Sequence, residues 1–334
     1  MTLILTRSDL KNILDMDTRD VIDIIEQAFL ALHNGRACLP DRAAIPVDNH
    51  NGLCLGMPAY LSDVEALGMK MVTVYPDNPQ RFDMPNIMGI LVLVNAGTGE
   101  PTCVMDATYL TSIRTGAVCG VATRHLAMPD AHVLGVIGTG AQASGIARCV
   151  TTERAVDEIK VYSVDSLHRR KAFAEEIEGY TGISVSLCQS AEQAVRGSDI
   201  VVVATTSKEP VISASWLSPG AHINAIGNHH PDSQEIDSDT IAKSIVVCDS
   251  VDVCMEESGD IIVPIRNGYV DVNHFRFDLG QVVAGCGPVR ERDNITLFKS
   301  VGLAIQDISI ASYAYKQAVK MGVGVEIDLA SLTQ

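Results

Sequence analysis

Residues 132–150 read HVLGVIGTGAQASGIARCV. Val133–Ile137 is a short apolar run rich in β-branched residues. It breaks into Gly138-Thr139-Gly140-Ala141-Gln142-Ala143 and resumes with apolar residues at Ala143, Ile146, Ala147 and Val150, the spacing of one helix face. The pattern predicts a strand, a glycine turn and a helix. Gly138 permits the tight turn, Gly140 lets a pyrophosphate approach the backbone, and Ala143 is small enough for close helix–strand packing, which together fit the G-x-G-x-x-G/A dinucleotide fingerprint. The helix start would offer unpaired N–H groups and a positive dipole end to phosphates.

Downstream the pattern keeps alternating. Strands are expected at 158–163, 185–187, 200–204, 222–226 and 245–249, with helices at 169–178 and 191–195. Such alternation implies a doubly wound parallel sheet, an α/β fold whose ligands sit outside the carboxyl ends of the strands. The residues just past those ends are Ser163, Asp165, Thr205, Gly227–His230 and Asp249. An acidic residue about 20 positions after the glycines takes a ribose hydroxyl and repels a 2′-phosphate. Asp165 therefore favours NAD(H) over NADP(H), unless it serves as the N-cap of the following helix or Arg169 or Arg170 folds back to a phosphate.

Upstream, Val21, Ile22, Ile25, Ala28, Phe29 and Leu32 form a helical stripe ending near Gly35. Strand-like runs follow at 43–47, 53–57, 67–75, 87–95 and 102–105, separated by glycine turns, and suggest a second, mostly antiparallel α+β domain. Residues 108–126 form a helix rich in small residues that carries Arg114-Thr115 near its start. A last long helix is expected over 296–321, then a short strand at 325–329. The expected division is 1–125 plus 305–334 against a dinucleotide domain at 126–304.

With 25 Lys+Arg against 41 Asp+Glu, the net charge of −16 repels nucleic acid and anionic membranes. No apolar stretch approaches the roughly 20 residues that span a bilayer, and the N-terminus does not read as a secretory signal, so a cytoplasmic protein is expected. The nine cysteines contain no C-x-x-C pair and no histidine in zinc spacing; neither a metal nor a disulfide framework is expected.

Several stretches together resemble the ornithine cyclodeaminase/mu-crystallin family over nearly the whole chain: Leu55-Gly56-Met57-Pro58-Ala59-Tyr60, Leu67-Gly68-Met69-Lys70, Leu110-Thr111-Ser112-Ile113-Arg114-Thr115-Gly116-Ala117, the glycine turn, and residues 298–307, FKSVGLAIQD. The resemblance implies a Rossmann-type domain binding NAD(P)(H), a second sheet domain used for homodimerisation, and chemistry at the α-carbon of an amino or imino acid. It places Arg42, Lys70 and Arg114 on a substrate carboxylate and Asn86 along the pocket. On the cofactor it implies Arg114, Thr115, Gly138, Thr139, Gly140, Ala141 and Gln142; the strand-end residues Ser163, Asp165, Thr205 and Gly227, with Val301 of the late stretch, complete the expected set. An Arg matches a carboxylate through paired hydrogen bonds, and a Lys beside it can pass a proton.

One departure separates branches. Cyclodeaminases carry Gly-Ala-Asp-x-Pro-Gly, whereas this chain has Gly227-Asn228-His229-His230-Pro231-Asp232. With His229 in place of the Asp, the chain resembles the reductase and dehydrogenase branch, and His229 joins Lys70 as a candidate proton donor. The expected reaction is NAD(P)H-dependent reduction of a 2-imino acid such as pyrroline-2-carboxylate or iminosuccinate, or the reverse. The alternatives are an ornithine or lysine cyclodeaminase and a mu-crystallin-like binding protein.

Overall fold

The computed structural model describes residues 1–15, 18–228 and 230–329. They form two compact units, residues 1–114 with 303–329 and residues 115–302.

The first unit begins with β1 (Thr2–Leu5), α1 (Arg7–Leu14), α2 (Thr18–His33), β2 (Ala37–Cys38), β3 (Ala43–Val47), β4 (Gly52–Leu61) and β5 (Ala66–Val74). The short α3 (Asn78–Arg81), β6 (Ile87–Asn95) and β7 (Pro101–Asp106) lead into α4 (Ala107–Leu126), within which the division between the units falls. Thr6 starts α1 through a reciprocal capping box with Asp9. The stripe expected on α2 is buried at Val21, Ile22, Ile25, Ala28 and Phe29.

The second unit is built from β8 (Val133–Ile137), α5 (Ala143–Glu153), β9 (Glu158–Tyr162), α6 (Leu167–Thr181), β10 (Val185–Leu187), α7 (Ala191–Val195), β11 (Ile200–Val203) and β12 (His222–Ala225). It continues through α8 (Ser238–Lys243), β13 (Ser244–Cys248), α9 (Val251–Glu257), α10 (Gly259–Arg266), β14 (Phe277–Asp278), α11 (Leu279–Val283) and β15 (Ile295–Lys299). The chain then returns to the first unit as α12 (Ala304–Met321) and β16 (Val325–Ile327).

The sheet of the first unit runs β16-β1-β7-β6-β5-β4-β2, with β3 also on β4. It is antiparallel except where β1 lies parallel to β7. Strand alternation divides its faces. Gly68, Lys70 and Val72 of β5 are turned inward, and Ile308 of α12 lies against Gly68, whereas Met69 and Met71 are exposed on the opposite face.

The sheet of the second unit runs β10-β9-β8-β11-β12-β15-β13-β14 with every pairing parallel. Parallel strands covered on both faces need continuous apolar runs, and β11 supplies one: Ile200, Val201, Val202 and Val203 are fully buried. Each such side chain contributes about 1.5–3 kcal/mol of burial. Strand order reverses at β8, which has β9 on one side and β11 on the other, so the crevice for a ligand opens where β8 and β11 end.

The helix expected over 296–321 is a strand followed by a later helix. Residues 295–299 are ITLFK, a β-branched and aromatic run that pairs with both β12 and β13 in the interior of the sheet. Beyond it the chain wraps the Asp249 carboxylate, which accepts hydrogen bonds from Ser300 Oγ and from the Val301 and Gly302 N–H groups, and α12 starts only at Ala304. Tertiary pairing overrides the helical reading. β1 and the four short helices α8–α11 have patterns too brief to be read as elements in isolation.

Candidate active site

In the first unit, inward-facing Lys70 meets α12. Its Nζ lies 2.7 Å from Asp307 Oδ2, with side-chain exposures of 2% and 0%. Arg114 Nε lies 3.2 Å from Asp307 Oδ1, and Arg114 Nη1 donates to Gln306 Oε1 at 2.6 Å. Two cations thus share one buried carboxylate. Burial pulls the Lys70 pKa down to about 8, opposed by Asp307 and reinforced by the charges of Arg114 and Arg42. Arg42, half-buried just before β3, is therefore near enough to act on Lys70. Asn86 is exposed beside β6, its carbonyl accepting from the Tyr75 N–H. That bond does not bring its side chain to the cluster.

In the second unit the glycine turn follows β8 as expected. Gly138 sits at φ +104, where a Cβ would come within 2.5 Å of Ala204 O, so the turn passes tightly over the end of β11. At Gly140 a Cβ would find only Ala204 O at 3.9 Å, which leaves that backbone approachable. Gln142 precedes α5, and its buried Oε1 has no hydrogen-bond partner. At the end of β9, Thr139 Oγ1 and Ser163 Oγ each donate to Asp165 Oδ2 at 2.6 Å. Those two bonds, Ser163's foremost, hold the Asp165 carboxyl below the usual range and keep it ionised. The N-cap of α6 is Ser166, so Asp165 does not cap that helix. Arg169 reaches to 3.9 Å of Asp165, and Arg170 bonds the Cys188 carbonyl.

Thr205 and Gly227, expected on the cofactor, both bond to Glu235, a residue that no spacing had marked. Glu235 Oε2 accepts from Thr205 N and Oγ1 at 3.3 and 3.0 Å; Oε1 accepts from Gly227 N and Asn228 N at 2.6 and 3.1 Å. A Cβ on Gly227 would sit 2.1 Å from Thr205 O, so the two loops touch backbone to backbone. Asp260 accepts from Glu235 N and pairs through Oδ2 with Lys299 Nζ at 2.7 Å, and Lys299 also donates to the Asn228 carbonyl. Val301 is held by Asp249. Thr115 is buried next to Arg114 in α4, and Ala141 lies in the turn before α5. His229 lies outside the described residues. Arg266 of α10 pairs at the surface with Asp232.

Asp307 and Gln306 lie in a stretch read only as a family marker. The signal available was an acid within an apolar helix stripe, which demands a buried cation. Glu235 and Lys299 sit in loop and strand contexts that carry no such signal.

The residues present fit NAD(P)(H): a glycine turn at the strand-order reversal, an unpartnered buried amide oxygen beside it, and a fixed carboxylate at the next strand end. Comparison with known proteins agrees. The sequence profile of the ornithine cyclodeaminase/mu-crystallin family matches residues 1–322. The Delta(1)-pyrroline-2-carboxylate reductase of Bacillus cereus is 38% identical over 331 residues, covering 98% of this chain and 99% of that protein. The structure of Thermococcus litoralis Delta(1)-pyrroline-2-carboxylate reductase in complex with NADH and L-proline matches with a TM-score of 0.94 and 42% identity, covering 98% of this chain and 100% of that one. An archaeal alanine dehydrogenase dimer with bound NAD matches with a TM-score of 0.90 and 36% identity, covering 98% and 99%. The chain belongs to the ornithine cyclodeaminase/mu-crystallin family, in its reductase and dehydrogenase branch.

Proposed function

We propose that this protein reduces a 2-imino acid to the corresponding amino acid with NADH and catalyses the reverse oxidation, with a cyclic ketimine such as pyrroline-2-carboxylate as the preferred substrate. The observation that carries the reading is the buried Lys70–Asp307–Arg114 cluster. Its two cations facing one carboxylate leave room for a second anion, and the substrate carboxylate supplies it. With Nε and Nη1 anchored, the Arg114 guanidinium is held in one plane for that carboxylate, and Arg42 adds charge. Lys70 is the proton donor to the imine nitrogen; a pKa of about 8 leaves it mostly protonated at neutral pH and able to give the proton up. In the reverse direction neutral Lys70 takes the proton from the amine. Bound at the glycine turn, the nicotinamide cofactor supplies or accepts the hydride.

The finer assignments follow the same residues. Gly138, Thr139, Gly140, Ala141 and Gln142 hold the pyrophosphate, and ionised Asp165 takes the ribose hydroxyls and disfavours the 2′-phosphate of NADP(H). Thr115, Ser163, Thr205, Gly227 and Val301 complete the dinucleotide site. The first unit binds substrate and dimerises, the second binds cofactor, and the protein works in the cytoplasm. Among the described residues no helix is long and apolar enough to cross a membrane.

The test is NADH and NADPH oxidation with preformed pyrroline-2-carboxylate and piperideine-2-carboxylate, and with 2-oxo acids plus ammonia or methylamine. Turnover with a cyclic ketimine and NADH is expected. Silence across the panel, with ornithine yielding ammonia and proline, would make the chain a cyclodeaminase instead.

A further inference from the structure

Glu235 is fully buried, and four donors from two loops converge on its carboxylate: the Thr205 amide and hydroxyl after β11, and the Gly227 and Asn228 amides after β12. An ionised carboxylate is acceptor-only and suits this arrangement; a protonated acid or an amide would turn a donor toward donors. The glycine turn lies alongside, since Gly138 packs against Ala204, the residue before Thr205. The backbone of Glu235 is itself fixed, its N–H and that of Ile236 donating to Asp260 Oδ1 at 2.7 and 3.0 Å.

We propose that Glu235 is a positioning residue for the dinucleotide: its ionised carboxylate holds the loops after β11 and β12 in the shape that receives the cofactor, so that protonation of this one buried acid weakens binding. This deepens the dinucleotide-dependent reading above and rests on it. Burial pushes the Glu235 pKa up to about 7; Lys299 of β15 and the Thr205 bonds act against that rise, and Asp260 of α10 adds to it. The other ionisable groups of the loops around it are Lys208 and Glu209 after β11, and His229, His230 and Asp232 after β12. Below its pKa the free protein must lose a proton from Glu235 in order to bind, so affinity falls as pH drops.

The test is NADH binding by fluorescence titration, with no imine present, to the wild type, Glu235→Gln and Thr205→Val between about pH 6 and about pH 9. Wild-type affinity is expected to fall toward about tenfold per pH unit on the acid side. Glu235→Gln is expected to bind NADH about tenfold more weakly at alkaline pH and to lose the pH dependence. Thr205→Val removes one hydroxyl donor and is expected to move the midpoint to higher pH, a readout that remains if Glu235→Gln does not fold. Wild-type affinity in Glu235→Gln, a pH dependence that survives in it, or an unmoved midpoint in Thr205→Val overturns the proposal alone. A wild-type protein that binds no NADH at any pH overturns the parent reading with it.

Discussion

Burying an ammonium costs free energy, and Lys70 remains buried because Asp307 meets it at 2.7 Å. The two effects pull its pKa in opposite directions, and burial wins, leaving it at about 8. With Lys70 as the proposed proton donor, reduction needs it charged, so at saturating NADH kcat/KM for the imine is expected to be level below about pH 8 and to fall above it. Amino-acid oxidation needs it neutral and should rise through the same range. Lys70→Ala should lower turnover by about 10²–10⁴-fold. Asp307→Asn removes the charge that supports the ammonium, so the falling limb should move to lower pH. It also leaves two buried cations without their carboxylate, at a cost of about 3–5 kcal/mol seen as a lower Tm. A pH profile unchanged in Asp307→Asn would remove the ion pair from the mechanism.

The elements at the carboxyl edge of the parallel sheet show what could be read from residues alone. The strand, turn and helix at 132–150 were legible because glycine, β-branched and small residues each have one local use there. The end of β9 was legible only by half: Asp165 had two readings, and the capping one falls because Ser166 caps α6, while the hydroxyls of Thr139 and Ser163 fix its carboxylate through contacts that no spacing announces. The element at 295–299 was misread because its pairing partners, β12 and β13, are distant in sequence. Glu235 and Asp307 escaped notice for the same reason, since a buried acid is identified by the donors that surround it. Asp165→Ala is expected to raise kcat/KM with NADPH relative to NADH by about 10–100-fold, since it removes a fixed negative charge from the proposed ribose site. An unchanged cofactor ratio, measured with one imine, would assign the preference to another residue.

For the whole molecule, the outer face of the first unit's sheet is the surface expected to make the proposed dimer. Met69 and Met71 of β5, Ile90 of neighbouring β6 and Ile45 of β3, which lies across β4, are 42–61% exposed, and Met71 is the register partner of Ile90. Apolar side chains gathered on one sheet face are expected at a contact between chains. A symmetric pair of chains would bury this face against its own copy. Each chain carries −16, so two copies repel at long range, and the apolar contact has to outweigh that repulsion. Two measurements follow. Salt screens the repulsion without weakening the apolar contact, so the dimer is expected to tighten between about 0.01 and about 0.15 M ionic strength. Met71→Glu with Ile90→Glu places two carboxylates from each copy into the contact while leaving the inner face untouched. Each unpaired buried charge costs several kcal/mol and every 1.4 kcal/mol is about tenfold in Kd, so light scattering should give the monomer mass with circular dichroism unchanged. A double variant that keeps the dimer mass would move the contact to a different surface of the chain.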